Sequence, residues 1–122
     1  MKNRPFLQRL RFALDGIYAA WRAEPSFRVQ TLCMAALIAL LVWLRPAPLW
    51  WAILLTVTGL VLAAELINTA LERVIDHLHP EQHPMMKVAK DCAAGAVLVT
   101  ALTAVAVFIA FLAEALPGSW AA

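Results

Sequence analysis

Charge is scarce in this chain. Only 15% of its 122 residues are Asp, Glu, Lys or Arg, while 63% are hydrophobic. Soluble domains run at roughly 25% charged and 45–50% apolar. A globule of this length exposes much of its surface and has nowhere to hide so much apolar side chain. That argues against a water-soluble enzyme and for a membrane protein. The net charge of +2 is too small to point to nucleic acid, whose binding calls for many cations. Glycine numbers 4 and proline 7, which argues against disorder and collagen-like repeats. The 2 cysteines, Cys33 and Cys92, sit in apolar runs. They read as small buried hydrophobes and not as a disulfide framework. GxxxxGK[ST] and GxGxxG loops are also absent, so any nucleotide site must be assembled from side chains and helix ends.

What is present is three long apolar stretches and an amphipathic start. Cations precede the first apolar stretch, but no signal-peptide core follows them directly. Phe6, Leu10, Ala13, Leu14, Ile17 and Trp21 recur at spacings of three and four. Residues 1–24 therefore read as an amphipathic helix, either lying in the membrane interface or packed on a bundle. Pro25 opens a first span, 25–45, of about 30 Å, the hydrocarbon thickness. Arg45-Pro46-Ala47-Pro48 is a stiff turn, and a second span covers 48–78. His79-Pro80-Glu81-Gln82-His83-Pro84 breaks it. A third span covers 85–116 and ends at Pro117-Gly118. The expected fold is all-α and integral to the membrane, in one domain.

Orientation follows from the cations. Lys2, Arg4, Arg9, Arg11, Arg22 and Arg28 precede or begin the first span; Arg73, Lys87 and Lys90 flank the second connection. Only Arg45 lies in the first connection. The positive-inside rule places the N-terminus and the second connection in the cytosol, with the C-terminus outside. Trp43, Trp50, Trp51 and Trp120 then form a belt at the outer interface.

Depth then groups the polar residues. Counting along the spans puts Glu65 about 5 Å inside the inner edge of the second span and Glu72 about 5 Å outside it. Glu24 precedes Pro25 at the same level, and Lys90 and Asp91 lie about 9–10 Å beyond the edge of the third. Glu65, Asn68, Glu72 and Asp76 share an arc of about 80° on one helix. A carboxylate within the apolar region costs roughly 2.5–3.5 kcal/mol, so the acids have a job to do. Structural alternatives remain: Glu65 as a protonated core acid or an arginine partner, Glu72 and Asp76 as a solvated face. The chemistry that suits the set is phosphoryl transfer. A hard cation takes one or two carboxylates plus phosphate oxygens, a lysine neutralises phosphate, and a remaining carboxylate accepts a hydroxyl proton. His77, His79 and His83 lack cysteine partners and read as loop residues, not a zinc site.

Glu65-Leu66-Ile67-Asn68-Thr69-Ala70-Leu71-Glu72, followed by Val74-Ile75-Asp76, resembles the signature of the prokaryotic diacylglycerol kinase family, which includes undecaprenol kinases. Ala89-Lys90-Asp91 with Ala93-Ala94-Gly95-Ala96-Val97 is similar to its second block. Ala13, Gly16, Glu24, Phe27 and Arg28 resemble a weaker N-terminal block. The resemblance implies an N-terminal surface helix, three transmembrane helices and a homotrimer with active sites shared between subunits. It also implies ATP as phosphate donor, Mg²⁺ as cofactor, and a lipid in the bacterial inner membrane as acceptor. By the motif match, Glu65 would be the base on the lipid hydroxyl, and Glu24 and Glu72 would hold the metal with the nucleotide. Asn68 would orient groups, Lys90 would contact phosphate, Asp91 would complete the nucleotide pocket, and Asp76 would support it. Glu81, Gln82 and His83 would cover the nucleotide, with Phe27 and Arg28 on the lipid side. Pro5 stands where many members carry an ATP-reaching arginine, leaving that role to Arg4, Arg9 or neither. Val29 stands where diacylglycerol-specific members tend to have glutamine. Diacylglycerol is the expected acceptor, with undecaprenol the alternative. A reading from another class, a small oligomeric transporter subunit, calls for an acid nearer mid-membrane.

Overall fold

The computed structural model describes residues 2–116. Trp120 and the Pro117-Gly118 stop lie outside the described residues. Four helices follow one another: α1 (Phe6–Ala23), α2 (Pro25–Leu44), α3 (Pro48–Leu78) and α4 (Pro84–Ala115). Proline is the first residue of α2, α3 and α4. At that position its missing N–H has no intrahelical partner to lose, and its fixed φ already suits the helix. This is why α4 begins at Pro84 and not one residue later. α1 begins at Phe6, after Pro5 at its N-cap.

The connections are short. Glu24 alone separates α1 from α2, with φ −114 and ψ 108. Its N–H still donates to the Ala20 carbonyl at 2.9 Å. The Arg28 guanidinium tightens this elbow: its Nη1 donates to the carbonyls of Trp21 at 2.8 Å and Arg22 at 3.1 Å. These are among the orphan carbonyls at the end of α1, and a cation suits them. At the other end of α2, Arg45 takes a left-handed conformation, φ 50 and ψ 55. Its N–H closes on Leu41 at 2.9 Å, and Pro46 bars further helix.

α3 touches all three other helices and is the centre of the fold. Its buried residues are Leu54, Val61, Glu65, Thr69 and Ile75, a stripe about 120° wide. At the tryptophan end, Leu41 of α2, Leu54 of α3 and Phe111 of α4 form a closed cluster. Trp50 meets Phe111 edge-on at 5.4 Å and its indole N–H donates to Glu114 Oε2 at 2.6 Å. Trp43, Trp50 and Trp51 all lie at the short α2–α3 connection.

Outside that seam the chain buries little of its own apolar surface. In the most apolar stretch of α4 only 6% of residues are buried. Leu102, Val105 and Ile109 lie open, as do Phe6, Leu10, Leu14 and Ile17 on α1. The apolar residues of α1 are thus not covered by the bundle within the chain. Cys33 and Cys92 are also exposed, a correction to their reading as buried residues: both lie on the uncovered faces of α2 and α4. Three helices are long and apolar enough to cross a bilayer. The 31 residues of α3 make about 46 Å of helix against roughly 30 Å of hydrocarbon, so it overhangs by about three turns.

Candidate active site

The carboxylate end of the bundle starts from Glu65. It lies on the seam of α3, so its side chain turns inward and is only 4% exposed. Ser26, the second residue of α2, donates from Oγ to Glu65 Oε2 at 3.1 Å. One turn on, Thr69 Oγ1 donates to the Glu65 main-chain carbonyl at 2.9 Å. Glu65 Oε1 accepts no hydrogen bond among the described residues, and three residues on, Asn68 Oδ1 is buried and unpartnered. The carboxylate therefore has one oxygen held and one without a partner.

Asn68 follows Glu65 by three residues, and its orphaned amide oxygen is an acceptor awaiting a donor or a cation. Glu24, at the α1–α2 elbow, and Glu72, one turn beyond Asn68, are both half-buried. Neither carboxylate has a side-chain hydrogen bond or ion pair among the described residues. Free carboxylates of this kind suit a hard divalent cation that fills the rest of its shell with phosphate and water. Among the described residues no three His, Cys, Asp or Glu side chains gather into a closed metal cage. Such donors fit Mg²⁺ carried with a nucleotide better than a resident structural metal.

Beyond them lies an open cleft of about 520 Å³ between the ends of α3 and α4. Asp76, Glu81, Gln82, His83, Lys87 and Lys90 line it. Lys90 pairs with Asp76 across the connection, and Lys87 pairs with Asp91 at 2.6 Å. His83 holds the start of α4 by accepting the Met85 N–H on Nδ1 at 3.1 Å.

The structure thus brings Glu81, Gln82, His83, Lys90 and Asp76 to one cleft. It leaves Asp91 on an exposed face of α4, with Lys87 on the cleft wall instead. Phe27 is buried, 3% exposed, and Arg28 caps the end of α1, joining it to α2. Arg4 stacks its guanidinium 5.7 Å over the Phe12 ring. Two side chains at this end escape sequence reasoning. Lys87 has a signal, its spacing of four from Asp91. Ser26 has none, because its partner is 39 residues away.

Comparison with known proteins covers most of the chain. The family described as Prokaryotic diacylglycerol kinase matches residues 11–112. Similar proteins include a diacylglycerol kinase of Synechocystis sp., 39% identical over 83% of this chain and 58% of that protein. The matched segment is thus little more than half of that relative's length. A diacylglycerol kinase of Escherichia coli K12 is 30% identical over 77% of each chain. An undecaprenol kinase of Bacillus subtilis is 33% identical over 71% of each. With both the signature blocks and nearly the full run of helices matched, the chain belongs to the prokaryotic diacylglycerol kinase family.

Proposed function

We propose that the protein is an ATP-dependent lipid kinase of the bacterial inner membrane, transferring the γ-phosphate to the hydroxyl of diacylglycerol to give phosphatidic acid. The observation that carries this reading is Glu65: a buried carboxylate with one oxygen held by Ser26 and the other unpartnered among the described residues, on a helix long and apolar enough to cross a bilayer and overhang it. A lipid hydroxyl sits at headgroup depth, so it needs no channel to reach Glu65. Glu65 Oε1 takes the hydroxyl proton as the hydroxyl oxygen attacks phosphorus; the bond to the ADP oxygen breaks and ADP leaves. Mg²⁺ bound with the nucleotide would neutralise charge on the phosphates. Glu24 and Glu72 would hold that cation, Asn68 would orient groups beside it, and Lys90 draws the phosphates into the cleft. Glu81, Gln82 and His83 cover the nucleotide, Asp76 supports Lys90 at the cleft until phosphate takes its place, and Asp91 acts through Lys87, its partner on the cleft wall.

Glu24, Glu72 and the cleft side chains do not close a site within one chain, and much apolar surface on α2 and α4 lies open. Both features support a homotrimer with sites shared between subunits. The cation distribution supports a cytosolic N-terminus and α3–α4 connection, with the C-terminus outside. The similarity to an undecaprenol kinase keeps that alcohol as the rival acceptor. The test is purified protein in detergent micelles with labelled ATP and either lipid. Faster labelling of diacylglycerol supports the reading, faster labelling of undecaprenol replaces the acceptor, and labelling of neither overturns it.

A further inference from the structure

We propose that Ser26 is a positioning residue for Glu65: its hydroxyl fixes the carboxylate so that Oε1 alone presents to the acceptor hydroxyl. This rests on the reading of Glu65 as the base. The Oγ–Oε2 distance is 3.1 Å, and no other side chain donates to this carboxylate among the described residues. The terminal torsion of a glutamate is broad and roughly two-fold. Without a donor on one oxygen, the group rotates and either oxygen faces the open side in a range of orientations. A donor from a neighbouring helix removes that freedom before the substrate arrives, which is how positioning lowers a barrier. The anchor is well chosen. Ser26 follows Pro25, so it lies in the first turn of α2, where the backbone is set by the proline. It is also two residues from Glu24. One short segment thus carries both a metal-holding carboxylate and the clasp on the base, and α2 keeps the two in register.

A purely structural role for Ser26, tying α2 to α3, makes a different forecast. It affects folding and assembly, and it leaves turnover of the folded protein alone. Positioning affects kcat, with KM for lipid and ATP little changed. A hydrogen bond to a charged group, once lost, slows turnover about 10- to 100-fold.

The experiment measures kcat, both KM values and Mg²⁺ dependence in mixed micelles for Ser26→Ala, Ser26→Cys and Ser26→Thr, with Glu65→Gln and the double variant alongside. Ser26→Cys keeps the volume with only a weak donor, so it carries the test if the alanine variant folds poorly. The expected result is a slow Ala and Cys variant with unchanged KM and Mg²⁺ dependence, restoration by Thr, and no further loss when Ser26→Ala is added to Glu65→Gln. Full turnover in Ser26→Ala or Ser26→Cys, with Glu65→Gln inactive, overturns the role of Ser26 and leaves the base reading intact. An active Glu65→Gln overturns both.

Discussion

Lys90 pairs with Asp76 on the facing helix and not with Asp91, its neighbour in the chain. Adjacent residues on a helix point about 100° apart, so Lys90 and Asp91 serve different faces. Lys90 lines the cleft, and Asp91 pairs one turn back along its own helix with Lys87. Lys90 is thus engaged by a carboxylate. On the proposed reading, in which Lys90 contacts phosphate, a bound triphosphate exchanges one anion for another on it.

Asp76→Asn removes that competitor. The side chains are 36% and 63% exposed, and so open a pair is worth at most about 1 kcal/mol. KM for ATP should therefore fall by no more than about fivefold. A KM that stays put or rises, measured in steady state at saturating lipid, shows that Lys90 does not trade Asp76 for phosphate.

Glu65→Gln keeps the shape and the contact with Ser26 but cannot take a proton. Turnover should drop about 10²- to 10⁴-fold, the range of general-base catalysis. Size-exclusion chromatography should show the assembly unchanged. Turnover at the wild-type rate removes Glu65 as the base.

Glu24→Gln and Glu72→Gln each take away a charged oxygen from the proposed cation site. The Mg²⁺ concentration for half-maximal rate should rise at least as far as when an outer-shell partner is lost, on the order of 10- to 100-fold. A Mg²⁺ titration of either variant that overlays the parent contradicts ligation by that residue.

Arg45→Gly addresses stability alone. A side chain at φ 50 costs roughly 1–2 kcal/mol, and glycine relieves this at an entropic cost of about 0.5–1 kcal/mol. The net gain is at most about 1.5 kcal/mol, read as a higher thermal midpoint in detergent with activity unchanged. A lower midpoint indicates that the arginine makes contacts worth more than the strain.

The helices were legible because they are announced locally. Pro25, Pro48 and Pro84 start them, and runs of uncharged residues define what crosses the bilayer. The stripe from Glu65 to Asp76 was legible for the same reason, since spacing along one helix fixes a face. Contacts between helices were not. The Ser26–Glu65 bond depends on how α2 leans on α3, and the capping of α1 by Arg28 depends on a bend at a single residue. Cys33 and Cys92 show the converse difficulty. An apolar run says that a residue avoids water, but not whether protein or lipid does the covering.

Glu24 is the whole hinge between α1 and α2, and it carries a carboxylate that the proposed mechanism needs. If α1 floats on the headgroups, any change in its tilt rocks that carboxylate through a lever with no slack in it. Tilting α1 therefore displaces the Glu24 carboxylate directly, because no loop residue lies between them to absorb the movement.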